Sequence, residues 1–206
     1  MAGYQTAGKG CGSNSWESER GKNLTFSLLI HPEGLQANAQ FRITEVVSVA
    51  ICETLAHYIN NNVAIKWPND IYVGDRKICG ILIENRLQGA TIKDSIIGIG
   101  LNVNQREFLS DAPNPVSLYQ LTGQEMDLDV LLHQFLDSFG RIAASPTVGE
   151  DYRARLYRKD VAALYEDGSG RFLATLTDVQ PDGRLVLHDE TGQPRTYAFK
   201  EVQFII

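Results

Sequence analysis

Apolar residues fall along this chain in two periods, and the period changes mark its elements. The run Leu24-Thr25-Phe26-Ser27-Leu28-Leu29-Ile30 predicts a buried strand, stopped by Pro32. From Gln40 to Asn60, residues Phe41, Ile43, Val46, Val47, Val49, Ala50, Leu55 and Ile59 follow helical spacing. They predict a helix that stops near Asn60-Asn61-Asn62. Val63-Ala64-Ile65-Lys66-Trp67 reads as a short strand ended by Pro68. Asp70–Val73 and Lys77–Glu84 read as a hairpin with Gly74-Asp75 in its turn. Ser95–Val103 is a further strand. Thr122–Phe139 predicts one amphipathic helix, with Leu128, Leu131, Leu132, Phe135, Leu136 and Phe139 on one face.

The pattern changes after Ser145–Glu150, a small-residue segment containing Pro146 that predicts a boundary, giving units 1–150 and 151–206. Beyond it Val161–Leu164, Arg171–Val179, Leu185–His188 and Arg195–Ile206 read as short strands. Asp167-Gly168, Pro181-Asp182-Gly183 and Thr191-Gly192 punctuate them, as in a small β-barrel of the SH3-like kind. The first stretch, Gly3 to Gly21, is polar and rich in Gly and Ser, and reads as a long loop.

Composition then removes several classes. With 206 residues, 43% hydrophobic and 21% charged, the chain reads as globular rather than disordered or fibrous. A net charge of −6 argues against a dedicated nucleic-acid binder, although it leaves room for a local basic patch. The longest apolar stretches, Val46–Ile51 and Ile96–Leu101, fall far short of the ~20 residues needed to span a bilayer. Three cysteines, Cys11, Cys52 and Cys79, are an odd number without metal spacing, and the four histidines are scattered. Free thiols predict a reducing, cytoplasmic compartment.

Three segments place polar residues or glycines where a purely structural chain would not need them. Gly8-Lys9-Gly10-Cys11-Gly12-Ser13 offers backbone amides and a cation to an anion; the plain alternative is a surface loop. Lys66-Trp67-Pro68-Asn69-Asp70 sets an amide and a carboxylate at a Pro-fixed turn, followed by Lys77 and by Gly80 inside a strand. A glycine there marks a bulge or the close approach of a ligand, and the alternative is a hairpin with a solvated lysine. Gly98-Ile99-Gly100-Leu101-Asn102 has two more strand glycines, which a tight sheet crossing would also explain.

Taken together, these segments resemble the biotin protein ligases, also called biotin–[acetyl-CoA-carboxylase] ligases, over nearly the whole chain. Lys66-Trp67-Pro68-Asn69-Asp70 is the most specific signature, and Gly183 through Val202 resembles the family's SH3-like tail. The resemblance implies an α/β (α+β) fold: a class II synthetase-like mixed β-sheet with helices on one face, then the small barrel. It also implies a two-step reaction. Biotin is activated by Mg2+-bound ATP to biotinyl-5′-AMP, then transferred to a lysine of a biotin carboxyl carrier protein domain. Lys77 and Lys9 are the implied catalytic residues. Gln5, Gly8, Lys77, Gly80, Ile81, Leu82 and Leu101 are the implied biotin contacts. Lys9, Gly10, Cys11, Gly12, Trp16, Asn69, Asp70, Lys77 and Asn102 are the implied adenylate contacts, with Asp70 also a candidate for the Mg2+. No DNA or membrane partner is expected, and a monomer or weak homodimer is.

Two departures bear on activity. The family loop reads Gly-Arg-Gly-x-Arg-Gly, whereas here Lys9, Gly12 and Ser13 stand at the two Arg positions and the last Gly. Arg binds phosphate in a planar, bidentate way and Lys as a point charge, so a looser hold on the adenylate is expected. Escaped adenylate would acylate bystander lysines. The chain also begins after the family's first strand and helix, with their biotin-contacting Ser-Thr-Asn segment, and without a winged-helix domain, so repressor activity is not expected. Two other readings stay open at this point: a lipoyl or octanoyl transferase-type enzyme, and a catalytically impaired biotin-binding fragment.

Overall fold

A computed structural model describes the chain apart from Cys11, Ser13, Asn14, Asn61, Asn62 and Asp111. The expected strand Leu24–Ile30 forms as β1, and the helix beyond it as α1, Phe41–Ala56. Two short strands, β2 (Val63–Lys66) and β3 (Asp70–Val73), lead to the long hairpin of β4 (Arg76–Gln88) and β5 (Thr91–Leu101). These five strands make one sheet in the order β1-β5-β4-β3-β2.

Every ladder in this sheet is antiparallel, which corrects the expectation of a mixed sheet. The reason is topological. Hairpins join β2 to β3, β3 to β4 and β4 to β5, and hairpins make antiparallel neighbours. The crossover through α1 carries the chain from one sheet edge to the other, so β1 and β2 never pair.

Helix α1 covers one face of the sheet. Alternation along β5 turns Ile97, Ile99 and Leu101 into the core; Phe26 and Leu24 on β1 pair with the last two. Burying side chains of this size stabilises by roughly 1.5–3 kcal/mol each. Phe135 meets Phe26 edge-on at 5.4 Å, and Tyr152 meets Phe41 in the same way at 5.4 Å.

The helix expected over Thr122–Phe139 forms as α3 (Leu128–Ala143), starting six residues later, and a short helix that the pattern did not predict, α2 (Leu118–Thr122), precedes it. Local chemistry separates them. Ser117 and Gln120 cap α2 reciprocally, Gly123 ends it at φ 73°, and the Asp127 carboxylate accepts from the Asp129 and Val130 amides to start α3. The Ser145–Glu150 segment runs into a further helix, α4 (Val148–Ala154), whose Val148 and Tyr152 are buried against α1. The Tyr152 hydroxyl donates to Pro68 O at 2.6 Å.

The second sheet comprises β6 (Ala162–Asp167), β7 (Gly170–Val179), β8 (Leu185–Asp189), β9 (Pro194–Tyr197) and β10 (Val202–Phe204). Its order is β10-β6-β7-β8-β9, antiparallel throughout, around Tyr165, Leu176, Leu185 and Leu187. The expected strand Arg195–Ile206 is split in two by a turn at Ala198–Glu201, where the Glu201 amide donates to Ala198 O at 3.1 Å. The β7–β8 turn and the segment before β6 pack beside the Lys66–Asp70 turn: Trp67 Nε1 donates to Gly183 O at 2.9 Å, and Tyr157 N to Ile65 O at 2.9 Å. No helix among the described residues is long and apolar enough to cross a membrane.

Candidate active site

The face of the first sheet turned away from α1 is the floor of a cleft of about 1120 Å³. Register defines that floor. Lys66 stands opposite Asp70, Asp70 opposite Gly80, Gly80 opposite Gly100 and Gly100 opposite Thr25, so one row crosses all five strands. The next row places Ser27, Gly98 and Leu82 side by side. Because side chains alternate, these residues face the cleft while Cys79, Ile81, Ile99 and Leu101 face the helices.

Lys77 would belong to the helix face by that alternation. A bulge re-aims it. Tyr72 pairs with Lys77 and Ile71 with Cys79, which leaves Ile78 as an extra residue on β4. Ile78 is fully buried, and Lys77 shares the cleft face with Asp70 and Gly80. Lys77 Nζ lies 2.7 Å from Asp70 Oδ1 and 5.8 Å from the Trp16 ring centre.

The strand glycines have a steric explanation. A Cβ on Gly100 would lie 2.5 Å from Trp16 Cε2, and one on Gly80 would lie 3.0 Å from Trp16 Cζ3. The indole therefore lies against the bare backbone of two strands. It is held there by the loop: Trp16 N donates to Gly8 O at 2.9 Å, and Lys9 bridges to Ser15. A Cβ on Gly8 would collide with Trp16 O and come within 3.0 Å of Gln5 Oε1.

Positive charge gathers in this acidic chain. Lys9, Lys66, Lys77 and Lys200 line the cleft, against Asp70 and Glu84. Burial lowers the Lys66 pKa from its ordinary value; the Asp70 charge opposes the shift and Lys77 reinforces it. Lys66 Nζ lies 5.1 Å from the Phe204 ring centre and 5.5 Å from that of Tyr72.

The fold thus gathers Gln5, Lys9, Gly10, Gly12, Trp16, Asn69, Asp70, Lys77, Gly80 and Leu82 at one cleft, with Gly8 directly behind Trp16. Cys11 lies outside the described residues. Leu101 does not line the cleft: its side chain sits on the helix face, 4% exposed, because its parity is opposite to that of Gly80 and Gly100. Ile81 does line it, although its side chain has that same parity and is 5% exposed, and its carbonyl accepts from Asn69 Nδ2 at 2.6 Å. That bond ties Asn69 to the sheet. Asn102 is buried at the end of β5 rather than lining the cleft, and its Nδ2 donates to Val116 O at 3.1 Å. Asn102 Oδ1 and Trp16 Nε1 are both buried without a hydrogen-bond partner among the described residues, an arrangement native proteins rarely leave unexplained.

Asp70 is a single carboxylate already paired to Lys77, and no cluster of three acidic, His or Cys side chains suited to a metal occurs among the described residues. One carboxylate is the kind of protein ligand that Mg2+ takes when substrate phosphate oxygens complete its coordination. Sequence reasoning missed Lys200, Phe199 and Phe204, which enter the cleft from the second sheet, and no local pattern marks them. Lys66 was visible in its motif, and its register opposite Asp70 is what makes it a cleft residue.

Comparison with known proteins places this geometry. Residues 1–102 match the family model described as the Biotin/lipoate A/B protein ligase family. The bifunctional ligase/repressor BirA of Bacillus subtilis is 34% identical over 145 residues, covering 68% of this chain and 43% of that protein. Its Escherichia coli counterpart is 35% identical over 106 residues, 52% of this chain and 33% of the relative. The chain thus spans less than half the length of these relatives. The biotin–[acetyl-CoA-carboxylase] ligase of Paracoccus denitrificans is 26% identical over 211 residues, covering 94% and 85% of the two chains. Among solved structures, the Aquifex aeolicus biotin protein ligase in complex with biotin and ATP superimposes with a TM-score of 0.80 at 24% identity. That match covers 98% of this chain and 87% of the other.

Proposed function

Because residues 1–102 belong to the Biotin/lipoate A/B protein ligase family, we propose that this chain activates biotin with ATP and passes it to a lysine of a carrier domain. A biotin carboxylate oxygen attacks the α-phosphorus of Mg-ATP, the bond to pyrophosphate breaks, and biotinyl-5′-AMP forms. The carrier lysine amine then attacks the acyl carbon and releases AMP. The Paracoccus relative, matched over most of both chains and named for this reaction, supports biotin over lipoate.

One observation carries the reading: the Lys77 amine, held 2.7 Å from Asp70, stands beside the Trp16 indole on a glycine floor. Charge accumulates around the α-phosphate during adenylation, and a positioned cation stabilises it. Lys77 takes that role, and Asp70 holds it in place. The bare floor seats the indole itself, since a Cβ at Gly80 or Gly100 would displace it. Trp16 offers an aromatic face to adenine. Lys9 supplies a second cation from the loop. Residues 1–150 form the catalytic unit in this reading, and residues 151–206 the accessory one.

Adenylate release belongs to the same proposal. The loop presents Lys9 and a bare Gly12, so phosphate contacts there are fewer than two arginines would make. A charged hydrogen bond is worth roughly 1.5–3 kcal/mol, about tenfold to a hundredfold in release. With biotin, ATP and a bystander protein present, bystander lysines become labelled; modification of the carrier alone would remove this part of the proposal. The core reading is tested by ATP–pyrophosphate exchange. Exchange that depends on biotin, and not on lipoate or octanoate, is the expected result. Binding without exchange would indicate an impaired fragment.

A further inference from the structure

The turn between β9 and β10 holds Lys200 at φ 72°, a left-handed conformation that a lysine seldom adopts. Such backbone persists where the surroundings impose it, and it clusters at ligand sites. Here the turn is closed on both sides: Glu201 N donates to Ala198 O at 3.1 Å, and Ala198 N to Glu201 Oε2 at 2.7 Å. Phe199 beside it packs edge-on against Trp67 at 6.2 Å, which anchors the turn to the Lys66–Asp70 segment.

This backbone sends the Lys200 side chain into the cleft. Its Nζ lies 3.0 Å from the point that a Cβ on Gly12 would occupy, and 5.7 Å from the Phe199 ring centre. Gly12 is itself at φ 68°, so the loop offers backbone at this point and no side chain. The space above Gly12 is filled by an ammonium that arrives from 188 positions further along the chain, the difference between residues 12 and 200. The other cleft cations have different surroundings. Lys77 is paired to Asp70, and Lys66 sits between the rings of Tyr72 and Phe204.

We propose that Lys200 is a nucleotide-binding residue: its ammonium, set over Gly12, takes the phosphate chain of ATP and later the phosphate of the adenylate. The second sheet thereby supplies a cation at Gly12, in addition to the one the loop provides through Lys9. This assignment rests on the adenylation reading above. The chemistry asked of Lys200 is charge-assisted donation to phosphate oxygens, for which a flexible ammonium is suited.

The test compares wild type, Lys200→Gly and Lys200→Arg by calorimetric titration with ATP, with pyrophosphate and with biotin. Glycine accepts φ 72° freely, so Lys200→Gly removes the charge while relieving the backbone, and its Tm should not fall. The expected result is about a tenfold loss of ATP and pyrophosphate affinity, shrinking at high salt, with biotin affinity unchanged. Lys200→Arg should retain most of the ATP affinity. Unchanged ATP affinity in Lys200→Gly would overturn the assignment while leaving the adenylation reading intact. A wild-type chain that binds neither biotin nor ATP would overturn both. Equal losses of ATP and biotin affinity would mean that the turn merely supports the cleft, and would also overturn it.

Discussion

Lys77 and Asp70 form a 2.7 Å ion pair across β4 and β3, although unbroken alternation along β4 would turn Lys77 to the opposite face of the sheet. The extra residue, Ile78, makes the pair possible. It occupies the core with its own side chain and shifts Lys77 into the row facing the cleft. Both partners are partly exposed, so the pair adds little to global stability and its value lies in position.

Lys77→Ala should therefore fold normally and lose biotin-dependent ATP–pyrophosphate exchange by roughly a hundredfold or more, the upper range for a charged hydrogen bond. Asp70→Asn keeps the shape of Asp70 but releases Lys77, and a loss nearer tenfold is expected. Exchange rates with unchanged melting curves check both; an active Lys77→Ala would remove Lys77 from the reaction.

Gly100→Ala sets a methyl group 2.5 Å from the Trp16 indole, and the ring must lift. We expect a loss of about 1–3 kcal/mol, as for other overpacked sites, together with weaker nucleotide binding. Gly98→Ala is the control. Its new Cβ would find its nearest neighbour, Leu82 O, at 3.6 Å, an ordinary contact. Thermal melts and nucleotide titrations of the two variants should diverge.

Trp67→Phe deletes the indole donor to Gly183 O. One hydrogen bond of this kind is worth about 1 kcal/mol, and urea denaturation should show a decrease of that order. Gly183→Ala should be worse, since Gly183 stands at φ 90° with the Phe41 ring in the way of a Cβ. The reverse ranking would mean that the two sheets are not fastened at this point.

The Asp189 carboxyl is held down at about 2, chiefly by the Thr191 hydroxyl, with the Gln193 and Thr191 amides and Arg195 adding to it against a smaller opposing effect of burial. A carboxylate whose pKa is depressed on folding stabilises above its unfolded value and loses that contribution as pH falls through the folded one. The stability contributed by Asp189 should thus be complete above about pH 4 and vanish towards pH 2. Melting wild type and Asp189→Asn between pH 2 and 6 should show curves that converge at the acid end. A gap of constant size would exclude this carboxylate as the cause.

Cys52 and Cys79 are buried, and burial pushes the Cys52 thiol up to about 12 and that of Cys79 higher still. Neither should react with a disulfide reagent in the native protein, because the thiolate is the reactive form. Peptide mapping after native labelling checks each position separately, and labelling should appear at both once denaturant is added.

Much of this architecture was legible in order and type. The periodicity of Phe41 through Leu55 became α1, and the alternation in β1 and β5 was visible as apolar runs. The start of α3 was legible too, since Asp127 is a local N-cap that the expected start at Thr122 passed over. Leu101 was misplaced for another reason. A strand reveals which residues alternate but not which of its two faces a helix will cover.

By itself, the sequence determined most of the strands, the long helices α1 and α3, the loop glycines and the Lys66–Asp70 turn, because these depend on near neighbours and on backbone chemistry. Tertiary structure alone decided which residues share the cleft. The row from Lys66 to Thr25 exists only through the register of five strands. The bulge at Ile78 changes parity in response to a partner strand, and Lys200 reaches Gly12 only because the second sheet packs beside Trp67. Register and docking are set by contacts between residues far apart in the chain, and no local pattern encodes those.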